Sequence, residues 1–568
     1  MSKKTSSHDE LLFLPLGGCG EIGMNLNLFG FGPEHDRKWV IVDIGVTFGD
    51  ASTPGIEIIM PDIEFIEQNR ENILGIVLTH AHEDHMGALG RLWPRIKCPV
   101  YATPFTMYLV KDRLSEFGLL DEVELHEVPL KGHIALGPFE FDLITLTHSI
   151  PEPNALAIHT PLGTILHTGD WKIDMAPQIG DPVDEAALRK LGKNGVLAMI
   201  CDSTNVFSPG EAGSEDGVRD ELKKLIGEYD GKGIAVASFA SNVARMESVM
   251  MAAKHNDRSV CLVGRSMKRM TAAAKSVGLL SEVGRLISED EAQAMPAAHV
   301  LYLCTGSQGE PRAALSRIAA GQHRSVKFHK GDAVIFSSKI IPGNEKGIFA
   351  LQNALADDGI DIVTEKSRDI HVSGHPCRDE LSRMYDWVKP EIAIPVHGER
   401  RHLLEHANLA KSLGVKRALA PHNGEMILLA SEGKDHTPKI IDIVSSGRLH
   451  QDGNDIVSAT DEGLRLRKKM AYAGHVSVSM VVNGKGRILS GPEPRISGFP
   501  EGRNGAVMEE LLDAVADEAE DAFDSLSPKA QRDEDVIEAK LVSRIRRRVK
   551  DLTGKRCVVE AVVHKVKG

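Results

Sequence analysis

The chain has 568 residues, in which 67 Lys and Arg side chains stand against 80 Asp and Glu side chains, giving a formal net charge of −13. With 42% hydrophobic and 26% charged residues, the composition excludes a disordered or fibrous protein, and the length indicates about three or four compact units. No apolar run approaches the roughly 18–20 residues of a membrane span, and the seven cysteines form no C-x-x-C pair, so we expect a cytoplasmic protein with free thiols and no membrane contact.

Six short β-branched runs predict buried strands over residues 39–44, 73–79, 141–147, 164–168, 196–201 and 391–396. The runs alternate with helical patterns, which is typical of an α/β fold. Each strand leads into a polar residue that could bind a metal or move a proton: Asp43, His80, His148, Asp170, Asp202 and His397. Because the ligands of α/β folds gather at strand ends, these positions are the candidate site.

A second α/β stretch begins near residue 205, with strands predicted over 233–238, 259–263, 299–304 and 332–337 and a helix over 242–254. Residues 451–470 are expected to form a linker, and residues 471–568 a small domain with a strand at 475–482, two helices and a last strand at 557–563. The two halves of this domain differ in charge, since residues 508–538 hold 12 acidic and 2 basic side chains and residues 540–568 hold 10 basic and 2 acidic ones. They would mediate self-association or contact with a polyanion, or form solvated helix faces.

The strongest chemical signal is the pattern His80-x-His82-x-Asp84-His85 at the end of the second predicted strand. A strand that ends in a tight turn allows His80 and His82 to bind one metal ion, and Asp84 and His85 to bind a second.

Three further strand-end residues would complete these two sites. His148 would close the first site, His397 would close the second, and the Asp170 carboxylate would bridge both ions. Imidazole and carboxylate ligands suit Zn2+, and Mn2+ or Mg2+ are the alternatives where oxygen ligands dominate. We therefore expect two divalent ions per subunit.

These residues carry a resemblance to the metallo-β-lactamase superfamily: Asp43, the His80–His85 motif, His148 and Asp170 match its motifs in order. The segments Asp202-Ser203-Thr204-Asn205, His371-Val372-Ser373-Gly374-His375 and Pro395-Val396-His397-Gly398-Glu399 resemble the three further motifs of its nucleic-acid-processing branch, called β-CASP. Within that branch, residues 16–23 (LGGCGEIG) and the PVHGE segment are similar to the bacterial ribonuclease J family. The resemblance covers residues 10–450 by motifs and residues 450–568 only by layout.

The resemblance implies an α/β fold, a metallo-β-lactamase αββα sandwich of two sheets flanked by helices, interrupted by a β-CASP domain. Residues 1–204 and 376–450 would form the sandwich, residues 205–375 the inserted α/β domain, and residues 471–568 the small C-terminal α/β domain. The strand before His397 would return to the sandwich, which explains how a residue so far along the chain completes the site.

The activity implied by the resemblance is metal-dependent hydrolysis of RNA phosphodiester bonds. It would comprise 5′→3′ exonuclease action on 5′-monophosphorylated RNA and endonuclease cleavage, in rRNA processing and mRNA decay. His397 favours RNA as the substrate, because DNA-acting members of the branch typically carry valine there. The family also implies a homodimer or homotetramer and protein partners in RNA degradation.

Roles for individual residues follow from the same resemblance. Asp84, His375 and Asp202 are the candidate catalytic residues. His375 would stabilise charge on the phosphate or protonate the leaving 3′ oxygen, and Asp202 would orient a ligand or cap the turn that follows it. Asp43 and His371 are expected to support the ligands from behind.

Several loops are candidates for holding the RNA backbone, because backbone N–H groups converge where a helix begins after a strand. The acidic net charge does not exclude such a path, which needs only a local positive field. In the family, such loops form a pocket for a 5′-monophosphate. The candidate phosphate-binding residues are Ser238, Ser241, Arg265, Ser373, Gly374 and His375, and Lys268 and Arg269 would either join Arg265 or form a solvated helix face.

Three other interpretations remain to be tested. Residues 18–23 (GCGEIG) have the G-x-G-x-x-G form of a dinucleotide-binding loop, with Asp43 where a ribose-binding acid would stand, although a strand pattern follows the glycines instead of a helix. A thioester or lactam hydrolase would use the same metal ligands but would not need the insertion. A catalytically silent RNA-binding scaffold would have lost ligands, and the ligand pattern is complete.

Overall fold

The structure, a computed structural model, describes residues 8–433, 437–502 and 506–566. The chain divides into two compact units, one formed by Met1–Thr47 and Met60–Gly447, the other by Phe48–Ile59 and Arg448–Gly568. No helix in the described ranges combines the length and the hydropathy that crossing a membrane requires.

Two mixed sheets form the centre of the first unit. The first has eight strands, in the order Lys439–Ile443, Glu425–Ser431, Glu10–Gly17, Leu26–Gly32, Lys38–Val42, Ile73–Val77, Val100–Ala102 and Leu125–Glu127. The second has seven, in the order His133–Leu136, Phe139–Thr145, Asn154–Thr160, Gly163–His167, Ala198–Asp202, Ile392–Val396 and Arg417–Ala418.

The two sheets face each other across one hydrophobic core. Phe13 and Phe29 of the first sheet belong to the same buried cluster as Phe141 and Ile394 of the second. Strands covered on both faces become continuous apolar runs, as in Ile392–Val396, where every residue is buried. The expected sandwich is confirmed.

The chain between the strands Ala198–Asp202 and Ile392–Val396 of the second sheet contains a separate six-stranded parallel sheet. Its order is Leu286–Ile287, Ser259–Val263, Val300–Cys304, Ile234–Ala237, Ala333–Phe336 and Asp361–Thr364. After it, Ile392–Val396 pairs in parallel with Ala198–Asp202. The chain therefore leaves the second sheet at residue 202 and returns to the neighbouring position in the same sheet.

Helices connect and cover the strands of this unit. They span Glu64–Gln68, Glu83–Met86, Leu89–Ile96, Pro104–Glu116, Glu185–Asn194, Glu215–Glu228, Val243–His255, Arg265–Ser276, Glu289–Ala294, Ala314–Ala319, Glu345–Asp357, Arg378–Val388 and Arg400–Ser412, with 3-10 turns at Arg70–Asn72 and Ala297–His299. Their apolar faces complete separate cores, one around Trp171 and Trp387 and one around the inserted sheet.

The second unit differs from its prediction in two places. Residues 451–470, expected to be a linker, instead contain most of a hairpin, Arg448–Asp452 with Asp455–Ser458, and the start of a helix, Glu462–Ala473. The hairpin belongs to a four-stranded sheet with Ile58–Pro61 and Thr47–Phe48. The polar run at residues 451–455, which indicated a linker, contains the turn of this hairpin.

The end of the chain has one strand more than expected. The strands are His475–Asn483, Ile488–Ser497 and Val558–Val566, and the helices are Ala506–Asp524 and Glu534–Thr553, with a 3-10 turn at Ala530–Arg532. The strand Ile488–Ser497 was not predicted, because its sequence ILSGPEPRIS leaves most side chains exposed and contains residues that are depleted in strands.

The glycine-rich loop near the N-terminus does not have the structure of a dinucleotide-binding loop. Cys19–Gly20 pairs in parallel with Gly398–Glu399, and the next element is the strand Leu26–Gly32. A dinucleotide fingerprint requires a helix at this point, with its N-terminus at the pyrophosphate. The dehydrogenase interpretation is wrong.

Candidate metal centre

The first group of histidines lies at the ends of neighbouring strands. His80 follows Ile73–Val77, and His148 follows Phe139–Thr145. The Nε2 atom of His80 lies 3.0 Å from Nδ1 of His82, and that Nδ1 atom lies 3.1 Å from Nε2 of His148. Together with Asp170, these residues offer four ligand atoms within 4.8 Å of one another. We call this set the first cluster.

The second cluster joins the end of the His80–His85 motif to the returning strand. Asp84, His85, Asp170 and His397 offer four ligand atoms within 4.8 Å of one another. Nε2 of His85 lies 3.1 Å from Oδ2 of Asp170, and Nε2 of His397 lies 3.9 Å from Oδ2 of Asp84. Asp170 belongs to both clusters, as the bridging role predicted for it requires.

The chemistry of these side chains fits divalent cations. Burial, reinforced by neighbouring histidines, holds the pKa of His80 and His148 well below the ordinary value. Burial also lowers the pKa of His82 to about 4, against the opposing charges of Asp84 and Asp170. A neutral imidazole is the form that binds a metal. The first cluster therefore offers neutral ring nitrogens and a carboxylate oxygen, a donor set that suits Zn2+. In the second cluster, the charges of Asp170, Asp43 and Asp84 outweigh burial and raise the pKa of His85 well above its ordinary value, so an ion bound there would displace a proton from that ring.

Asp43 holds His85 from behind the second cluster. It is fully buried, and its Oδ2 accepts a hydrogen bond of 2.7 Å from Nδ1 of His85, which leaves Nε2 of that ring free to face the site. Its Oδ1 accepts from the Thr79 backbone N–H at 2.8 Å. The left-handed backbone of Asp43 (φ 63°) is uncommon outside glycine and marks a position that its surroundings hold in place.

The loop after the inserted sheet supports the first cluster through its backbone. Nδ1 of His148 donates a hydrogen bond of 2.5 Å to the carbonyl oxygen of Gly374. A Cβ atom at position 374 would lie 2.8 Å from Cε1 of His148, so glycine lets the loop approach the ring this closely. Sequence reasoning assigned Gly374 to phosphate binding and did not find this contact.

His375 borders both clusters and is held by Asp202. Its ring centroid lies 5.0 Å from that of His148 and 5.5 Å from that of His397, and its Nδ1 donates to Oδ2 of Asp202 at 2.8 Å. Burial by itself would lower the pKa of His375, but Asp202, with Asp170 and Asp84, raises it to about 9. Asp202 also accepts from the backbone and the hydroxyl of Thr204. Asp202 therefore caps the turn that follows it, and the histidine that it contacts is His375, which is not a ligand of either cluster.

His371 does not join either cluster. Within the described ranges no hydrogen bond connects it to a ligand residue, and its buried Nδ1 atom has no hydrogen-bond partner. Burial, with the positive charges of Arg245, Lys339 and Lys172, lowers its pKa to about 3. The expectation that His371 supports the metal ligands is not met, because its charged neighbours are cations of the inserted domain and of the second sheet's loops.

Three of the predicted phosphate-binding residues, Ser238, Ser241 and Arg265, follow strands of the inserted sheet at its carboxyl edge. The other three, Ser373, Gly374 and His375, lie in the loop that contacts His148 and Asp202 at the metal centre. Ser238 follows the strand Ile234–Ala237 and is buried, and Ser241 lies just before the helix Val243–His255. The Ser373 hydroxyl accepts hydrogen bonds from Asn205 Nδ2 and the His375 backbone N–H, so it joins its own loop to the segment that follows Ala198–Asp202. Arg265 is exposed at the first turn of its helix.

The other two candidate cations of that helix, Lys268 and Arg269, are engaged within the protein. Lys268 pairs with Glu289 at 2.9 Å, and Arg269 pairs with Asp112 at 2.5 Å. Of the three basic residues considered for RNA contact, Arg265 is therefore the best placed.

Comparison with known protein families gives a match for each successive segment of the chain. Family models match for the metallo-β-lactamase superfamily over residues 34–177, the β-CASP domain of ribonuclease J over 231–355, a Zn-dependent metallo-hydrolase RNA specificity domain over 359–421 and the ribonuclease J C-terminal domain over 463–566.

Whole-chain similarities extend this result. The chain is 43% identical to the ribonuclease J of Sinorhizobium meliloti over 100% of both proteins. It is 40% identical to the ribonuclease J of Mycolicibacterium smegmatis over 86% of each. A crystal structure of a protein of unknown function from Enterococcus faecalis shares the fold with a TM-score of 0.52 at 17% identity, over 74% of this chain and 100% of that one.

Proposed function

The chain belongs to the ribonuclease J family, and from this premise we propose that it is a metal-dependent ribonuclease that degrades 5′-monophosphorylated RNA from its 5′ end and also cleaves internally. The observation that carries the proposal is the pair of histidine–aspartate clusters that share Asp170. Two ions held there would bind the scissile phosphate and lower the pKa of the attacking water. His80, His82 and His148 would hold one ion and Asp84, His85 and His397 the other, with Asp170 on both.

His375 is the residue proposed to act on the substrate itself. Because its Nδ1 donates to Asp202, its Nε2 is the nitrogen available to a phosphate oxygen or to the leaving 3′ oxygen. A positioned imidazole of this kind contributes by neutralising developing charge or by donating a proton. The hydrogen bond to Asp202 holds the ring in one orientation. It also keeps a hydrogen atom on Nδ1, as in the neutral Nδ1-protonated tautomer or the imidazolium form.

The carboxyl edge of the inserted sheet is the proposed seat of the 5′-monophosphate. Parallel strands bring the loops after residues 237, 304 and 336 to the same edge, and hydrogen bonds from Ser238 N to Cys304 O and from Ser337 N to Ala237 O join them. The segment from His371 to His375 runs from the cations around His371 to the metal centre. A 5′-phosphate seated at this edge would place the first phosphodiester bonds toward the clusters.

The remaining features of the proposal concern ion identity, assembly and location. We propose two Zn2+ ions, with Mn2+ or Mg2+ as alternatives, because imidazole nitrogens predominate among the ligands. All seven cysteines are free and buried, which supports a reducing cytoplasm. We also propose, from the family, that the protein forms a homodimer or homotetramer and has protein partners in RNA decay. Light scattering coupled to gel filtration measures the oligomeric state.

Incubation of 5′-labelled, 5′-monophosphorylated RNA with metal-loaded protein tests the proposed function. The wild type should release labelled mononucleotide and internal fragments, and His80→Ala should release neither. His126→Ala is the matched control, since His126 is a half-buried histidine that stacks on Tyr101 and belongs to neither cluster. The proposal fails if the wild type forms no product or if His80→Ala equals the wild type.

A further inference from the structure

The N-terminal glycine-rich loop lies beside the second cluster. Its residues Cys19 and Gly20 pair with Gly398 and Glu399, the two residues that directly follow His397. The loop leads to Asn25, which is 2% exposed and immediately precedes the strand Leu26–Gly32. The loop thus connects the start of the chain to the returning strand at the metal centre.

Asn25 contacts three ligand residues of the second cluster. Its Oδ1 accepts a hydrogen bond of 3.0 Å from Nδ1 of His397. Its Nδ2 lies 3.0 Å from Nε2 of His85, the nitrogen that would bind the ion, so a bound ion would replace this contact and leave those to His397 and Asp84 in place. Both its Nδ2 and its backbone N–H donate to the carbonyl oxygen of Asp84, at 3.1 and 2.9 Å. One buried side chain therefore joins the His80–His85 motif to the returning strand.

We propose that Asn25 is a positioning residue that assembles the second metal site, an inference that rests on the proposed metal-dependent function. A ring nitrogen that donates a hydrogen bond cannot bind a metal, so the acceptor at one nitrogen decides which nitrogen faces the ion. By accepting from Nδ1 of His397, Asn25 leaves Nε2 as the ligand atom. The other acceptor near that Nδ1 is Oδ1 of Asp170 at 3.4 Å, which is farther away.

Asn25 and Asp43 divide this task between the two histidines of the second cluster. Asp43 orients His85 through the same kind of contact at Nδ1, but it touches neither Asp84 nor His397 within the described part of the chain. Asn25 supplies the contacts that Asp43 lacks. His397 itself has a left-handed backbone (φ 51°), a conformation that needs such support.

The glycines of the loop fit this arrangement. A Cβ atom at Gly18 would lie 2.5 Å from Oδ1 of Asn25, and one at Gly45 would lie 1.7 Å from the carbonyl oxygen of Asp84. Gly18 also has a positive φ of 85°, which side chains rarely adopt. Gly18 is the first of the three glycines that imitate a dinucleotide fingerprint, and a Cβ atom at the third, Gly23, would lie 3.3 Å from Cβ of Asp84. Close approach to Asn25 and Asp84 therefore accounts for these two glycines.

Metal retention in paired variants tests this role. Asn25→Leu keeps the approximate volume but removes all side-chain hydrogen bonds, and Asn25→Asp keeps an acceptor for His397. Asn27→Leu is the matched control, because Asn27 is also buried, lies two residues away and has an Oδ1 atom without a hydrogen-bond partner. Each full-length protein is loaded with Zn2+, dialysed against graded chelator and analysed for zinc per chain, and the thermal unfolding midpoint of each metal-free form reports folding.

The wild type and Asn27→Leu should retain two ions at the same chelator concentration. Asn25→Leu should retain one tightly bound ion and release the other at about 10–100-fold lower chelator concentration, the usual cost of losing a residue that orients a ligand. Asn25→Asp should retain the second ion better than Asn25→Leu does. If Asn25→Leu does not fold, Asn25→Ser serves in its place with the same expected loss.

Other results would overturn the inference. If Asn25 only fills space, the apolar leucine should retain the second ion at least as well as the charged aspartate. Retention of both ions by Asn25→Leu at the wild-type chelator concentration contradicts the proposed role while leaving the metal centre intact. If the wild type itself holds no zinc, the proposed metal centre is wrong and the role of Asn25 with it.

Discussion

The metal centre and the carboxyl edge of the inserted sheet both place polar residues after buried strands, but they use those residues differently. At the metal centre, side chains from four strand ends, those of His80, His148, Asp170 and His397, lie close together, and Asp170 belongs to both clusters. At the carboxyl edge, Lys268 and Arg269 pair with carboxylates, and Arg265 is exposed at the first turn of its helix. The first region therefore depends on particular side chains, whereas the second depends more on backbone and on local positive charge.

The largest effect is expected at Asp170, because it serves both clusters. Asp170→Asn should lower RNA hydrolysis by more than the roughly 10²–10³-fold cost of losing a single charge-stabilising group, and it should reduce the metal content of the protein. Initial rates and zinc per chain measure the two effects. Asp142→Asn is the control, since Asp142 is an exposed carboxylate that also pairs with two histidines; equal losses in both variants would contradict the shared role of Asp170.

The next largest effect is expected at Asp202. This residue contacts His375 and is not a ligand shared by the two clusters, as Asp170 is. Asp202→Ala should lower the rate by about 10–100-fold and leave the metal content unchanged. Thr204→Val removes only the hydroxyl that donates to Asp202 and should keep most of the activity. If Thr204→Val loses as much as Asp202→Ala, capping of the turn is the main role of Asp202.

The buried histidine His406 contacts Ser203, the residue that follows Asp202. His406 accepts or donates hydrogen bonds with Ser203 and Tyr385, and burial lowers its pKa from 6.5 to about 4. Because the folded-state pKa is below the unfolded value, the stabilisation is complete above pH 6.5 and is lost as the pH falls toward 4. At pH 5 the loss is about 2 kcal/mol for such a shift.

Denaturant unfolding at pH 7.5 and pH 5 measures this effect. The free energy of unfolding should fall by about 2 kcal/mol more in the wild type than in His406→Gln, which has no titrating group at that position. An equal fall in both proteins would show that His406 does not contribute to the pH dependence of stability.

The smallest effect is expected at the carboxyl edge. Lys339 is exposed after the strand Ala333–Phe336, and Lys339→Ala should weaken the preference for a 5′-monophosphate over a 5′-hydroxyl by up to about tenfold, or about 1.4 kcal/mol. The rate on internal sites should not change. Lys330→Ala, at the other end of that strand, is the control, and an equal loss there would remove the carboxyl edge as the proposed phosphate seat.

Most of the fold could be predicted because buried strands are short apolar runs with polar residues at their ends. The predicted run 259–263 coincides with the strand Ser259–Val263, and the run 391–396 differs from Ile392–Val396 by one residue. The strand Ile488–Ser497 and the hairpin at residues 448–458 could not be found this way. Most side chains of Ile488–Ser497 are exposed, whereas those of the hairpin are of mixed exposure, with Leu449 and His450 buried. The pairing of both is set by neighbouring strands rather than by their own composition.

The candidate ligands could also be named from the sequence, since histidines and aspartates at strand ends have few other reasons to recur. The residues that orient them could not. Asn25, Thr79 and the carbonyl group of Gly374 act through contacts between distant parts of the chain, and nothing in their local sequence indicates that contact. The glycines before Asn25 were the one available signal, and their spacing resembled that of an unrelated motif.

Anomalous diffraction from crystals of the zinc-loaded protein, recorded above and below the zinc edge, tests the central claim most directly. Two peaks should be found, one about 2.0–2.2 Å from the ligand atoms of His80, His82 and His148, the other at the same distance from those of His85 and His397. The Asp170 carboxylate should contact both. A single peak, a peak away from these residues or no peak at all would contradict a shared two-ion centre.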